Sequence, residues 1–325
     1  MKIRGKLLQE NLLTMPPFEP SYIKTYQNGL LGEKIKTAKT ILSSCTLCPR
    51  KCKADRLSGQ LGICKTGEKA AVSSYNPHFG EEAPLVGTHG SGTIFFTHCN
   101  LLCLFCQNYD ISHEGYGEEA SSDQLAGMML FLQNTGCHNI NFVTPSHVVP
   151  QILAAVETAI KGGLSIPLVY NTGGYDRVET LKLLEGVFDI YMPDFKFWSP
   201  EIAETTCKAR DYPMIARRAF IEMHRQVGDL VVDESGIAKR GLLIRHLVLP
   251  QGLAGTREIM NFISHNISHN SYVNIMPQYR PCGRATEVKE LSAPLSHRDY
   301  KTALQAANEE GITRLNSRRR VFMML

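Results

Sequence analysis

The sequence has no apolar run longer than a strand and no strong excess of either charge, and each absence excludes a class of function. Among its 325 residues 43% are hydrophobic and 20% charged, at a mean hydropathy of −0.15. Nothing in it is long and apolar enough to span a membrane. The opening residues Met1-Lys2-Ile3-Arg4-Gly5-Lys6 lead into polar sequence rather than the apolar core of a secretion signal, so the chain reads as cytosolic. A formal net charge of +4 is too small to argue for nucleic acid. The run Arg318-Arg319-Arg320 reads as a solvated edge.

Ten cysteines are present, and in a reducing compartment they point to metal rather than to disulfides. Cys99, Cys103 and Cys106 form one group, spaced C-x3-C-x2-C. Cys45, Cys48, Cys52 and Cys64 form another, spaced C-x2-C-x3-C-x11-C. Cys137, Cys207 and Cys282 stand alone. Three thiolates on one tight turn suit three irons of a [4Fe–4S] cube, and no fourth cysteine is expected within reach of that turn. The iron without a protein ligand would then be a reaction site. Three cysteines alone make a poor structural zinc site. Four thiolates, by contrast, satisfy a tetrahedral Zn²⁺ or close a [4Fe–4S] cube equally well. Arg50, Lys51, Lys53, Arg56 and Lys65 flank this second group and would offset its charge.

Residues 1–91 read as an arm punctuated by Met15-Pro16-Pro17 and Pro20, followed by the four-cysteine lobe. From residue 92 a regular rhythm sets in. Strands are expected at 93–97, 139–144, 166–171, 188–192, 243–249 and 272–276. Most are apolar on both faces, as in a parallel sheet covered by helices. Helices are expected at 123–133, with Ser121-Ser122 as N-cap pair, and at 149–161, closed by Gly162-Gly163. Others fall at 178–184, 201–227 with a break near Pro213, 257–265 and 296–310. Serial β-α units mean a right-handed parallel α/β sheet, which an open doubly wound sheet or a barrel satisfies equally. In either, ligands gather at the carboxyl ends of the strands, where the three-cysteine loop begins. Gly87-Thr88-His89-Gly90-Ser91-Gly92-Thr93 precedes a strand and lacks the lysine of a phosphate loop, so it reads as a linker turn.

On Cys99-x3-Cys103-x2-Cys106, with Phe105 directly before the last cysteine, the sequence resembles the radical S-adenosylmethionine superfamily, and within it the pyruvate formate-lyase activating enzymes. The resemblance covers roughly residues 92–282. It implies a partial (β/α)6 TIM-like barrel over 92–285, a small N-terminal cysteine-rich lobe, and a helical extension over 286–325. It also implies a [4Fe–4S] cluster that reductively cleaves S-adenosylmethionine to a 5′-deoxyadenosyl radical for hydrogen abstraction. The reductant would be a donor such as flavodoxin or ferredoxin. A protein or peptide glycine is the implied substrate class, with a small molecule as its competitor.

Further matches imply cosubstrate contacts. Asn108 lies two residues past the last cysteine. Met192-Pro193-Asp194-Phe195-Lys196 resembles a Met-Leu-Asp-Leu-Lys stretch whose Asp and Lys flank the methionyl group, a Lys pairing a carboxylate and an Asp an ammonium. Asn171-Thr172-Gly173-Gly174 resembles an Asp-Thr-Asn-Gly turn that can share a monovalent cation, with one charge fewer here.

Two stretches depart from the family pattern. Val143-Thr144-Pro145-Ser146-His147 replaces a Gly-Gly-Glu stretch, so Thr144 or Ser146 would accept the cosubstrate's ammonium with His147 nearby, unless Ser146 caps the next helix. Gln278 replaces a histidine, and Cys282 follows near the barrel mouth as a hydrogen donor, a ligand or a small buried hydrophobe. One of Arg245 and His246 faces the interior, His246 reading better as a core histidine. Competing functions are a non-catalytic iron–sulfur redox or cluster-carrier protein, and a zinc-based interaction module on an inactive barrel.

Overall fold

The computed structural model describes residues 18–316, and the Met15-Pro16-Pro17 segment and the Arg318–Arg320 run lie outside the described residues. Helices α1 (Ser21–Gln27) and α2 (Leu30–Ile41) lead into the four-cysteine lobe, after which come β1 (Ala70–His78), α3 (Ala83–Val86) and β2 (Ser91–Phe96). The three-cysteine loop, β3 (Glu118–Ala120) and α4 (Ser122–Asn134) follow. Then come β4 (Ile140–Val143), α5 (Val149–Lys161), β5 (Leu168–Thr172), α6 (Val178–Leu184), β6 (Ile190–Pro193), α7 (Pro200–Cys207) and α8 (Tyr212–Val227). The chain ends with β7 (Val231–Val232), β8 (Ala238–Leu247), α9 (Thr256–Phe262), β9 (Tyr272–Met276) and α10 (His297–Glu309).

Local sequence accounts for several boundaries. Ser121 and Gln124 form a reciprocal capping box that starts α4, satisfying two amides the helix cannot. The expected helix over 201–227 divides between Cys207 and Tyr212. Pro213 opens the second helix in its first turn, where its missing N–H costs nothing.

Strands β2, β4, β5, β6, β8 and β9 pair in parallel and in chain order. A doubly wound sheet reverses its strand order midway, so the unreversed order selects the barrel. No pairing joins β9 to β1 among the described residues, and the barrel stays open, a partial (β/α)6 barrel. The antiparallel strand β1, which precedes residue 92, continues the same sheet beyond β2 and carries β3. Alternate residues face outward to the helices. Phe96, Phe142, Tyr170, Tyr191 and Ile244 join Met129, Ile152, Leu181 and Phe220 in one buried cluster, each large side chain contributing about 1.5–3 kcal/mol.

The opposite faces line a lumen, and the chain fills its lower end with its own sequence. Leu85 of α3 packs there on Val169, Ile190, Met192, Leu230 and Leu243. Just before it, Glu82 accepts from Asn274 at 2.8 Å and Glu81 meets Arg245 at 3.4 Å. The floor of the lumen is therefore charged and its upper end remains open. No helix among the described residues is long and apolar enough to cross a membrane.

Candidate active site

Above this floor lies a cavity of about 390 Å³, lined from the ends of all six parallel strands and by Cys99, Cys103 and Cys106. The cysteine loop is tied down before any metal is considered. Phe105 wedges between Phe197 and Tyr279, with ring centroids 5.9 Å apart in both pairs. His98 and Leu102 adopt positive φ of 63° and 59°, a costly conformation for residues with a Cβ that persists where surroundings enforce it. That backbone aims amides at sulfur. Leu101 N–H donates to Cys99 Sγ at 3.3 Å, Leu102 N–H also reaches Cys99, and Asn108 N–H and the Ser112 side chain reach Cys106. Burial pushes the Cys99 thiol up to about 12, so only a bound cation would keep it a thiolate at neutral pH.

The opposite wall is ionic. Lys196 Nζ and Arg245 Nε grip the two oxygens of Asp194 at 2.6 and 2.7 Å. Burial would raise the Asp194 carboxyl, yet these cations hold it below its ordinary value. Asp194 and Lys196, expected to flank the methionyl group, stand side by side as an ion pair. Arg245 is the interior-facing member of its pair and also donates to Asn171 Oδ1 at 2.8 Å. His246 is a satisfied core histidine between Phe195 O and Thr256 Oγ1.

Asn108, Thr144, Asn171, Thr172, Asp194, Lys196 and Gln278 all line the cavity. Thr144 does so at a φ of 61°, a real outlier for a β-branched residue. The Thr172 hydroxyl is already committed, donating to Asp176 at 2.6 Å. Ser146 is buried away from the cavity, 3.1 Å from Thr172 Oγ1, and makes no helix cap. His147 is buried too, joined to Thr97 O at 2.9 Å and held by burial down to about 3. Cys282 is half-buried and lies outside the lining.

Sequence reasoning missed Glu81, since nothing local distinguishes it from a solvated acid. It lines the cavity floor. Burial, with Glu82 and Asp194 adding and Arg245 opposing, pushes it up to about 7. It also missed Cys207. The expectation that no fourth cysteine lies near the loop is wrong, because Cys207 Sγ stands 3.3 Å from Cys103 Sγ. They are 104 residues apart, so spacing carried no signal.

The second cysteine group is braced in the same manner. Cys48 is pushed up to about 12 by burial, with the Arg50 amide donating to it and Cys64, Cys45 and Cys52 close enough to add their charge. Thr66 donates from both its amide and its hydroxyl to Cys64. A Cβ on Gly62 would come within 2.4 Å of Cys52 Sγ, so only glycine admits that sulfur. Arg56 reaches from Cys45 Sγ at 3.9 Å to His147 O at 2.8 Å. Among the described residues no three His, Cys, Asp or Glu side chains stand in ready-made ligating geometry. The fit of both groups to metal rests on their donor sets, all sulfur, and on the amides and cations aimed at them.

Arg50 joins the two groups. Its Nε donates to Asn100 O at 2.9 Å, its Nη2 to Leu101 O at 3.2 Å and Cys207 O at 2.7 Å, and its Nη1 to Lys208 O.

No family model matches the chain. Two solved structures share 15% identity with it at a TM-score of 0.45. One is a radical SAM methyltransferase from Sphaerobacter thermophilus, matched over 70% of this chain and 66% of that one. The other is native anSMEcpe with bound AdoMet, matched over 66% and 57%, so the chain spans less than two thirds of either. Over 316 residues it is 31% identical to the uncharacterized protein MJ0674 of Methanocaldococcus jannaschii, an alignment covering 95% of this chain and 86% of the relative. With most of both chains aligned at that identity, the protein belongs to the same family as MJ0674.

Proposed function

We propose that the protein is a radical S-adenosylmethionine enzyme. The carrying observation is that Cys99, Cys103 and Cys106 face one cavity whose other wall presents Asp194, Lys196 and Arg245 at the strand ends. Bound there, a [4Fe–4S] cluster and S-adenosylmethionine would supply one-electron cleavage of the sulfonium and hydrogen abstraction. The chain's own part is to hold and shield. Three thiolates take three irons, and the amides of Leu101, Leu102 and Asn108 disperse their charge. The Asp194–Lys196–Arg245 cluster fixes the methionyl end, its two cations outnumbering its one anion and so favouring a carboxylate. Asn108, Thr144, Asn171 and Gln278 supply polar contacts, and the filled lumen keeps water out from below.

A small polar substrate is favoured over a peptide glycine by the lumen floor. There Glu81 meets Arg245 only at long range and lies against Glu82, and Asn171 Nδ2 is buried without a partner. A group bearing both a donor and an acceptor would satisfy the pair. Cys45, Cys48, Cys52 and Cys64 would hold the second metal, Zn²⁺ or a second cube.

The test is anaerobic reconstitution, reduction, and mass spectrometry of added S-adenosylmethionine. Methionine and 5′-deoxyadenosine in equal amounts support the reading; a reduced, iron-replete protein that leaves the cosubstrate intact overturns it. Substrate candidates carried in deuterated form then separate a small molecule from a peptide by where deuterium enters 5′-deoxyadenosine.

A further inference from the structure

Cys207 closes α7 and is 2% exposed. Its sulfur lies 3.3 Å from Cys103 Sγ. Two thiolates on one tetrahedral metal at about 2.3 Å would stand about 3.8 Å apart, and on separate irons of a cube farther still. The observed separation is shorter than either. It fits a thiol donating a hydrogen bond to a neighbouring sulfur. Cys207 also lies outside the cavity lining that includes the other three cysteines.

The contact is held from both sides. On the loop side, Leu104 N–H donates to Thr206 O at 2.9 Å, so the residue after Cys103 is docked on the residue before Cys207. On the helix side, Arg50 collects the carbonyls of Cys207 and Lys208, oxygens that a helix end leaves without partners. Lys208 adopts a φ of 50° directly after Cys207. Among the eight non-glycine residues with positive φ in the described chain, it shares with Lys51, Lys53, Lys65, His98 and Leu102 a position next to a cysteine. The backbone at Cys207 therefore carries the same enforced strain as the backbone at the two metal groups.

We propose that Cys207 is a positioning thiol of the three-cysteine site, donating its S–H to the Cys103 thiolate without binding iron, and so easing reduction of the cluster. This rests on the radical S-adenosylmethionine reading. A donor at a cluster sulfur stabilises the more negative, reduced state and raises the reduction potential. The lobe takes part through Arg50, which anchors the helix end that carries the thiol.

The test uses the full chain, reconstituted anaerobically, with the reduced cluster recognised by a spectrum that changes on adding S-adenosylmethionine. Cys207→Ala is expected to keep its iron content and that response while its midpoint potential moves to more negative values. Cys207→Ser, which retains a hydroxyl donor, is expected to move less. On transfer to D2O, exchangeable hydrogens coupled to the cluster should include, beyond those of the loop amides, one that is absent from Cys207→Ala and altered in Cys207→Ser, so the serine variant decides the matter should Cys207→Ala fail to fold. An unchanged midpoint at full iron, or exchangeable couplings identical in the native and variant proteins, overturns the inference. Loss of one iron in Cys207→Ala makes Cys207 a ligand and overturns it as well. A wild-type cluster that ignores S-adenosylmethionine instead overturns the functional reading.

Discussion

The two cysteine groups of this chain are built alike and placed differently. In both, residues with positive φ flank the cysteines and backbone amides point at sulfur. The four-cysteine lobe looks inward on itself: its thiols neighbour one another, and Arg56 runs from Cys45 Sγ to the barrel at His147 O. The three-cysteine loop opens onto a cavity with a charged opposite wall. Chemistry needs an approachable face, whereas a brace needs only satisfied ligands. On the proposed function, that difference gives reaction to the loop and support to the lobe.

The sharpest way to break that assignment is to remove the loop thiols. Cys99→Ala/Cys103→Ala/Cys106→Ala is expected to drop 5′-deoxyadenosine formation to background while the lobe keeps its metal. Metal analysis of the same sample checks both halves, and near-zero iron with one zinc per chain would exclude a cube in the lobe.

Next in size is Arg50→Ala, which frees four carbonyls of the loop and of the α7 end. Loss of such a supporting partner typically costs about 10–100-fold in metal affinity or activity. Iron retention at the loop under dilution should fall accordingly. Arg50→Lys is expected to rescue little, since an ammonium cannot reproduce the planar fork.

Glu81→Gln probes the cavity floor through pH. Burial raises the folded Glu81 carboxyl to about 7, against an unfolded value of about 4.3. Between those values the folded state binds the extra proton, so stability falls as pH rises through the window. The substitution should remove that fall and stabilise the protein at pH 8 by on the order of 1–3 kcal/mol. Denaturant midpoints at pH 5 and 8 measure it, and an unchanged difference between them would contradict the assignment. Smallest is Ser121→Ala, which loses the α4 capping box for about 1 kcal/mol with neither metal affected.

Much of the barrel was legible because the strands are short, apolar on both faces and separated by helices with ordinary caps. Five of the six expected strands and the helix over 178–184 appear close to their expected limits, while β8 begins five residues before the expected 243. Strands β1, β3 and β7 were not legible, since β1 is polar after Val72 and exposed over Ser74, Tyr75 and Asn76, and the others have three and two residues. Among the site residues, those next to a motif or at a strand end were found. Glu81, Arg50 and Cys207 act through contacts made 50 to 164 residues away, and no periodicity reports such distances.

Cysteine spacing and the rhythm of apolar runs determined, by themselves, that this chain groups its thiols in two places and lays one group at the carboxyl ends of a parallel sheet. Both are properties of neighbours in sequence. Only the tertiary structure decided that Asp194 pairs with Lys196, that the lumen is filled from below by the chain's own residues, and that a thiol from a distant helix rests on one of the loop's sulfurs. Those depend on which distant surfaces the closing barrel presses together.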